Sequence, residues 1–210
     1  KEKIKATQTD KDGKLVCLYT HDADAHHALI ESADERGYDV LVMDSPLASH
    51  LIQKLEMKLG VGFSRVDGDT LDKLITKDEV IPSKLSTDEE EKIKPAFEAN
   101  VETGKFTVVF ESMSEKDKPV IITQSEFMRR MKEQQALGGG GMHMMGNMPE
   151  MYNLVVNSNH PIVSKILNES DDTKRNELTK QTIDLAMLAN GLLKGKELSE
   201  FINRSLQMID

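Results

Sequence analysis

Apolar residues along this 210-residue chain fall into short continuous runs separated by longer stretches at helical spacing. Residues 15–19 form one such run after the turn Asp12-Gly13, and residues 40–43 form another. Both predict strands, because runs of four or five apolar residues bounded by turn residues fit sheet positions buried on both faces. Between them, Asp22 or Asp24 is placed to cap a helix that stops at Gly37. After the second strand, Ser45-Pro46 opens a helix with Leu51, Ile52, Leu55 and Leu59 on one face, ended by Gly60 and Gly62. A strand–helix–strand–helix order with apolar strands predicts parallel pairing through right-handed crossovers.

The pattern changes between Thr76 and Glu91, where Pro82, several hydroxyl residues and the acidic run Asp88-Glu89-Glu90-Glu91 interrupt it. A domain boundary at residue 85 divides the chain into 1–85 and 86–210. Ser86 or Thr87 with Glu90 resembles a capping box for a helix running to about residue 101. Residues 106–113 predict a strand, Lys116-Asp117-Lys118-Pro119 a turn, and residues 120–123 its hairpin partner. Gln124-Ser125 starts an amphipathic helix with Phe127, Met128, Met131 and Leu137, stopped by the glycines 138–141. Residues 142–149 are rich in Gly and Met and predict no regular element, and 152–156 predict a third strand. Three helices follow, at 160–168, 173–193 and 196–208. The expected fold class is an α/β small domain followed by an α+β domain, a three-stranded sheet with helices and a carboxyl-terminal helical dimer bundle.

Charge narrows the partners. A net charge of −9 with a pI near 5.2 opposes a phosphate-backbone binder or a polybasic membrane anchor. With no Trp, 3 Tyr and 6 Phe, stacking platforms for single-stranded nucleic acid are scarce. The single cysteine, Cys17, permits no internal disulfide, and its place between Val16 and Leu18 predicts a buried strand residue. No apolar run approaches the roughly 20 residues a bilayer requires, and Lys1-Glu2-Lys3-Ile4 is unlike a signal peptide. These features together give the expectation of a cytoplasmic protein.

The most chemical-looking stretch is His21-Asp22-Ala23-Asp24-Ala25-His26-His27, three imidazoles and two carboxylates following a strand end. Open α/β sheets bind ligands at such ends, and these side chains are of the type that holds Zn²⁺ or Mn²⁺ for phosphoester hydrolysis. The alternative is structural: carboxylates at a helix N-terminus and a solvated imidazole face. Gly60-Val61-Gly62 and the four-glycine run lack the spacing and the lysine of a phosphate cradle. No catalytic, cofactor-binding or metal-binding residue is assigned.

Two apolar features remain. Eight of the twelve methionines lie between residues 113 and 151. Unbranched thioethers suit surfaces that must fit many partners, which makes Phe127, Met128, Met131, Met142, Met144 and Met145 candidates for contact with unfolded polypeptide; internal packing is the competing reading. At the chain's end, Leu185, Leu188, Ala189, Leu192 and Leu193 on one helix and Phe201, Ile202, Leu206 and Ile209 on the next exceed what a two-helix hairpin can cover. A four-helix bundle with a second copy would bury them, and packing onto the chain's own sheet is the alternative.

Four segments carry a family likeness. Asn157-Ser158-Asn159-His160-Pro161-Ile162-Val163 resembles an element of the ninety-kilodalton heat-shock chaperones, and residues 184–191 with Phe201-Ile202-Asn203-Arg204 resemble their dimerising helices. Phe127-x-Arg129-x-Met131-Lys132 is similar to their exposed client helix, with Phe where Met is common. Ala33 to Leu41 and Met43-Asp44-x-Pro46 look like the end of their middle domain. The resemblance, to the bacterial HtpG type, implies a homodimer that binds unfolded or partly folded clients, with no nucleic-acid or membrane partner. It implies that ATP and magnesium are held elsewhere in a full-length parent, so that this part is not an enzyme and carries no cofactor. The rival function is a metal-dependent phosphohydrolase built on residues 21–27.

Overall fold

The computed structural model describes residues 2–45, 47–125 and 150–207, which divide into two compact units. Residues 2–80 form the body of the first, and residues 81–122 with 152–207 form the second.

In the first unit, strand β1 (Val16–Thr20) lies between β2 (Val40–Val42) and β3 (Gly62–Arg65) and pairs in parallel with both. Every residue of β1 is buried, and its two faces feed two cores. Leu15, Cys17 and Tyr19 pack with Ile52, Val61 and Phe63 under α3 (Ala48–Leu59). Val16 and Leu18 pack with Ala33 of α2 (His27–Glu35) and Leu71 of α4 (Leu71–Leu74). A strand covered on both sides has no polar face, so its sequence is a continuous apolar run. Cys17 is buried, as its neighbours predict. A short helix, α1 (Glu2–Lys5), precedes this sheet.

Three details depart from expectation. The sheet has a third strand, β3, where the sequence suggests only the end of a helix; its residues Ser64 and Arg65 mask the apolar signal. Helix α2 begins at His27, and Asp22 instead accepts the Ala25 N–H at 2.9 Å in the turn before it. Helix α3 begins at Ala48, and of its four apolar residues only Ile52 is fully buried while Leu51 and Leu59 are exposed. The predicted glycine stops do hold: Gly37 (φ 71°) and Gly60 (φ 61°) adopt the left-handed conformation that ends α2 and α3.

In the second unit, α5 (Thr87–Glu98) starts with a capping box between Ser86 and Glu89, not Glu90. Glu90 is used elsewhere, accepting the Ser158 hydroxyl at 2.7 Å. The sheet has the order β4 (Phe106–Glu111), β6 (Tyr152–Asn157), β5 (Val120–Thr123), with β4 and β6 parallel. The expected hairpin between β4 and β5 is therefore absent, because β6 lies between them. Physical reasons favour that arrangement: Leu154, Val155 and Val156 are consecutive and buried, the pattern of a central strand covered on both faces, whereas β4 has exposed Thr107 among its buried residues. Phe97, Val108, Ile122, Leu154, Val156, Val163, Ile166 and Ile183 form the core. Three helices complete the unit: α6 (Pro161–Asn168), α7 (Asp172–Ala189) and α8 (Gly195–Gln207).

Candidate functional site

The resemblance motif at residues 157–161 is a joint. Asn157 is fully buried; its amide donates to the Ser114 carbonyl at 2.8 Å, and its Oδ1 accepts the Asn159 N–H at 3.0 Å. The Asn159 amide donates to the carbonyls of Met113 (2.9 Å) and Pro82 (3.1 Å), while its Oδ1 accepts the Lys84 N–H at 2.7 Å. Backbone groups that no regular element satisfies are thus paired by asparagine side chains. His160 then caps α6, its Nδ1 accepting the Ile162 N–H at 3.1 Å, with Pro161 at the first helical position. Burial holds the His160 pKa below its ordinary value.

Helix α7 begins at the Asp171 cap, which accepts the N–H groups of Thr173 and Lys174. Its inner side carries Thr179, Thr182, Ile183 and Ala186 against the core, and both threonine hydroxyls return a hydrogen bond to the preceding turn. The helix ends at Ala189 and not at 193, because Gly191 (φ 65°) makes a Schellman stop: Gly191 N–H bonds to Leu188 O and Leu192 N–H to Met187 O. After that stop, Leu193 is buried and Leu192 packs partly buried against the core. Phe201 is buried on α8.

The nine residues predicted to mediate self-association thus fall into three groups. Leu193 and Phe201 are covered by the chain itself, and Leu192 largely so. Leu185 (51% exposed), Leu188 (42%), Ile202 (48%) and Leu206 (57%) are open, as is Ala189. Ile209 lies outside the described residues, as do the client-contact candidates Phe127, Met128, Met131, Met142, Met144 and Met145.

Between α7 and α8 runs a polar seam that the sequence reading misses. Asp184 is buried and accepts a hydrogen bond from the Arg204 guanidinium, with Lys180 Nζ 3.4 Å away. Arg204 Nε also donates to Gln181 Oε1 at 2.9 Å, and Gln181 Nε2 donates to the Ser205 hydroxyl at 3.0 Å. The available signal was a carboxylate between Ile183 and Leu185 on one helix and an arginine inside the apolar stripe of the next: charges on apolar faces need partners.

The histidine-rich stretch is built differently from a metal centre. Arg65 and Asp67, at the end of β3, form a buried two-pronged ion pair beside it, one arm at 2.5 Å. His26 Nε2 is 3.5 Å from Asp67, and its Nδ1 is 2.7 Å from the Thr20 hydroxyl. His21 Nδ1 is 3.4 Å from Arg65, and the two imidazoles meet edge to face at 5.2 Å. Asp24 and His27 point to solvent. Asp67, the carboxylate beside these imidazoles, is paired with the fixed cation of Arg65. Among the described residues, no group of three His, Cys, Asp or Glu side chains could hold a metal ion, which leaves the phosphohydrolase reading without support. Burial lowers the His26 pKa, Asp67 opposing and Arg65 reinforcing it; backbone N–H groups, Ala25's foremost, lower that of Asp22.

A parallel-sheet unit and a second unit ending in an open-faced helical hairpin are compatible with the class the resemblance suggests. The chain belongs to the Hsp90 family of molecular chaperones: residues 18–210 match the family described as Hsp90 protein. Within it, the likeness is to the bacterial HtpG type. The chain is 33% identical to chaperone protein htpG of Bacteroides fragilis (strain YCH46), 32% to that of Bacteroides thetaiotaomicron and 31% to that of Porphyromonas gingivalis (strain W83). Each match covers 98% of this chain and 40% of the relative, so the chain spans about two fifths of their length. Among the described residues no helix is long and apolar enough to cross a membrane.

Proposed function

We propose that this chain is the self-associating, client-contacting part of an ATP-driven cytoplasmic chaperone: residues 1–85 end its middle domain, and 86–210 hold two copies together. The observation that carries this reading is the open apolar face of α7 and α8, formed by Leu185, Leu188, Ala189, Ile202 and Leu206. Helical hairpins with such faces find their complement in the same hairpin of a second copy, related by a two-fold axis. Membership in the Hsp90 family supports that occupant over others.

Client contact is assigned to Phe127, Met128, Met131, Met142, Met144 and Met145, on the strength of their side-chain chemistry. In a two-fold dimer this surface occurs twice, so weak contacts gain avidity. ATP and magnesium are assigned to the parent's other domains, and this chain by itself has no catalytic role. The test is suppression of aggregation of an unfolded model protein by the 210-residue chain. Replacing Phe127, Met128 and Met131 with Ser should lower that suppression while leaving the melting temperature near the parent's. A variant that melts far lower would show those side chains to be core.

A further inference from the structure

We infer that the Asp184–Arg204–Gln181 clasp sets the register of α8 on α7 and so shapes the self-association face; this rests on reading that face as the contact with a second copy. The face is composite. Leu185, Leu188 and Ala189 come from α7, and Ile202 and Leu206 from α8. Its shape therefore depends on how the two helices are rotated and staggered, not on either helix alone.

Few contacts fix that stagger. Of the residues of α8, only Phe201 is buried. A buried aromatic ring by itself tolerates sliding, since hydrophobic contact is non-directional. The clasp does not. Arg204 reaches Asp184 and Gln181, one turn apart on α7, with separate nitrogens, and Gln181 then reaches Ser205, the next residue of α8. Shifting α8 by one turn would leave Asp184, which is buried, with only Lys180 of its own helix and without the Arg204 hydrogen bond. Buried polar pairs add little net stability, and in some helical assemblies a single one fixes register, the role assigned to the clasp here. The clasp also borders the face it would organise: Gln181, Asp184, Leu185 and Leu188 occupy neighbouring rows of α7, and Ile202 and Leu206 each follow a residue of the Phe201–Ser205 side. Asp184, Arg204 and Gln181 are thus positioning residues, and the leucines and isoleucine make the contact.

The experiment uses the 210-residue chain with Asp184→Leu, Arg204→Met and Gln181→Leu together, which removes the three directional bonds without leaving a buried charge. Sedimentation equilibrium gives the dimer dissociation constant, and thermal melting followed by circular dichroism gives the stability. The expected result is a folded chain melting near the parent's temperature but dimerising about tenfold or more weakly. Parent-like affinity would overturn the inference. Should that variant fail to fold, Arg204→Lys keeps the charge but loses the fork, and weaker dimerisation at unchanged melting temperature is again expected; parent-like affinity would again overturn it. Leu188→Ser with Ile202→Ser tests the face itself. If that variant still dimerises as the parent does, the face reading falls and the inference with it; if only the clasp variants do, the inference alone falls.

Discussion

The cluster around His26 and the seam between α7 and α8 are built from the same materials: an arginine, a largely covered carboxylate and polar neighbours. In the first, Arg65 grips Asp67, its neighbour two residues away, and the imidazoles of His21 and His26 crowd around the pair. In the second, Arg204 grips Asp184 from another helix, twenty residues along the chain. A pair closed within one turn can hold only its own loop, whereas a pair between two helices fixes their relation. The surroundings differ as well. Exposed polar residues, Asp24 and His27, flank the first; exposed Leu185, Leu188 and Ile202 flank the second. The same pair chemistry thus joins two elements or closes one loop depending on where in the chain its members lie.

The sharpest way to break this contrast is to attack the open face and the covered ring separately. Leu188→Glu with Ile202→Glu should give folded monomers, since each apolar side chain buried at an interface contributes about 1.5–3 kcal/mol and a charge there adds a desolvation cost. Phe201→Ala should instead cost about 3–5 kcal/mol of stability, because its ring is core within one copy. Light scattering and urea unfolding separate the two outcomes. A Phe201→Ala chain as stable as the parent would contradict the division.

Next in size is Arg65→Ala. It leaves Asp67, which is mostly but not fully covered, with only the neutral imidazole of His26 nearby, and such a loss costs about 1–3 kcal/mol. The first unit should therefore melt earlier, while the dimer dissociation constant stays within about twofold of the parent's. A change in dimerisation would show that the cluster does more than hold its own loop.

The smallest effect is a pH dependence. Burial holds His26 and His160 below their ordinary pKa, so the folded chain prefers both neutral. Unfolded, each titrates near 6.5. Between the folded and unfolded values the unfolded chain binds more protons, so stability is complete above that value and declines as pH falls below it. Protonated His160 would also lose its capping acceptor at a helix N-terminus. His160→Asn, which can still cap, should flatten the decline in the second unit, and His26→Gln should do so in the first. Stability rising on acidification would contradict the burial argument.

Much of the architecture was legible from local pattern. The buried run at 15–19 and the stops at Gly37 and Gly60 were each written in a few adjacent residues. What failed depended on distant partners. Nothing near Val120 says that β6 will come between β5 and β4, and Gly62-Phe63-Ser64-Arg65 shows its strand nature only when paired with β1. The apolar stripe on the last helices was legible as a whole, but its division was not. Phe201 and Ile202 are adjacent and equally apolar, and only the geometry of α8 on α7 separates the covered one from the open one. The histidine stretch reads as a ligand-dense segment with a structural alternative and no assigned metal site. Its neighbour Arg65 was not legible from it, because it lies 44 residues from His21.

Occupation of the open face of α7 and α8 by a second copy is read from the solution mass of the 210-residue chain. Multi-angle light scattering at tens of micromolar should return twice the 23.5 kDa chain mass, and a mass of one chain that persists at that concentration would rule out a second copy as the occupant.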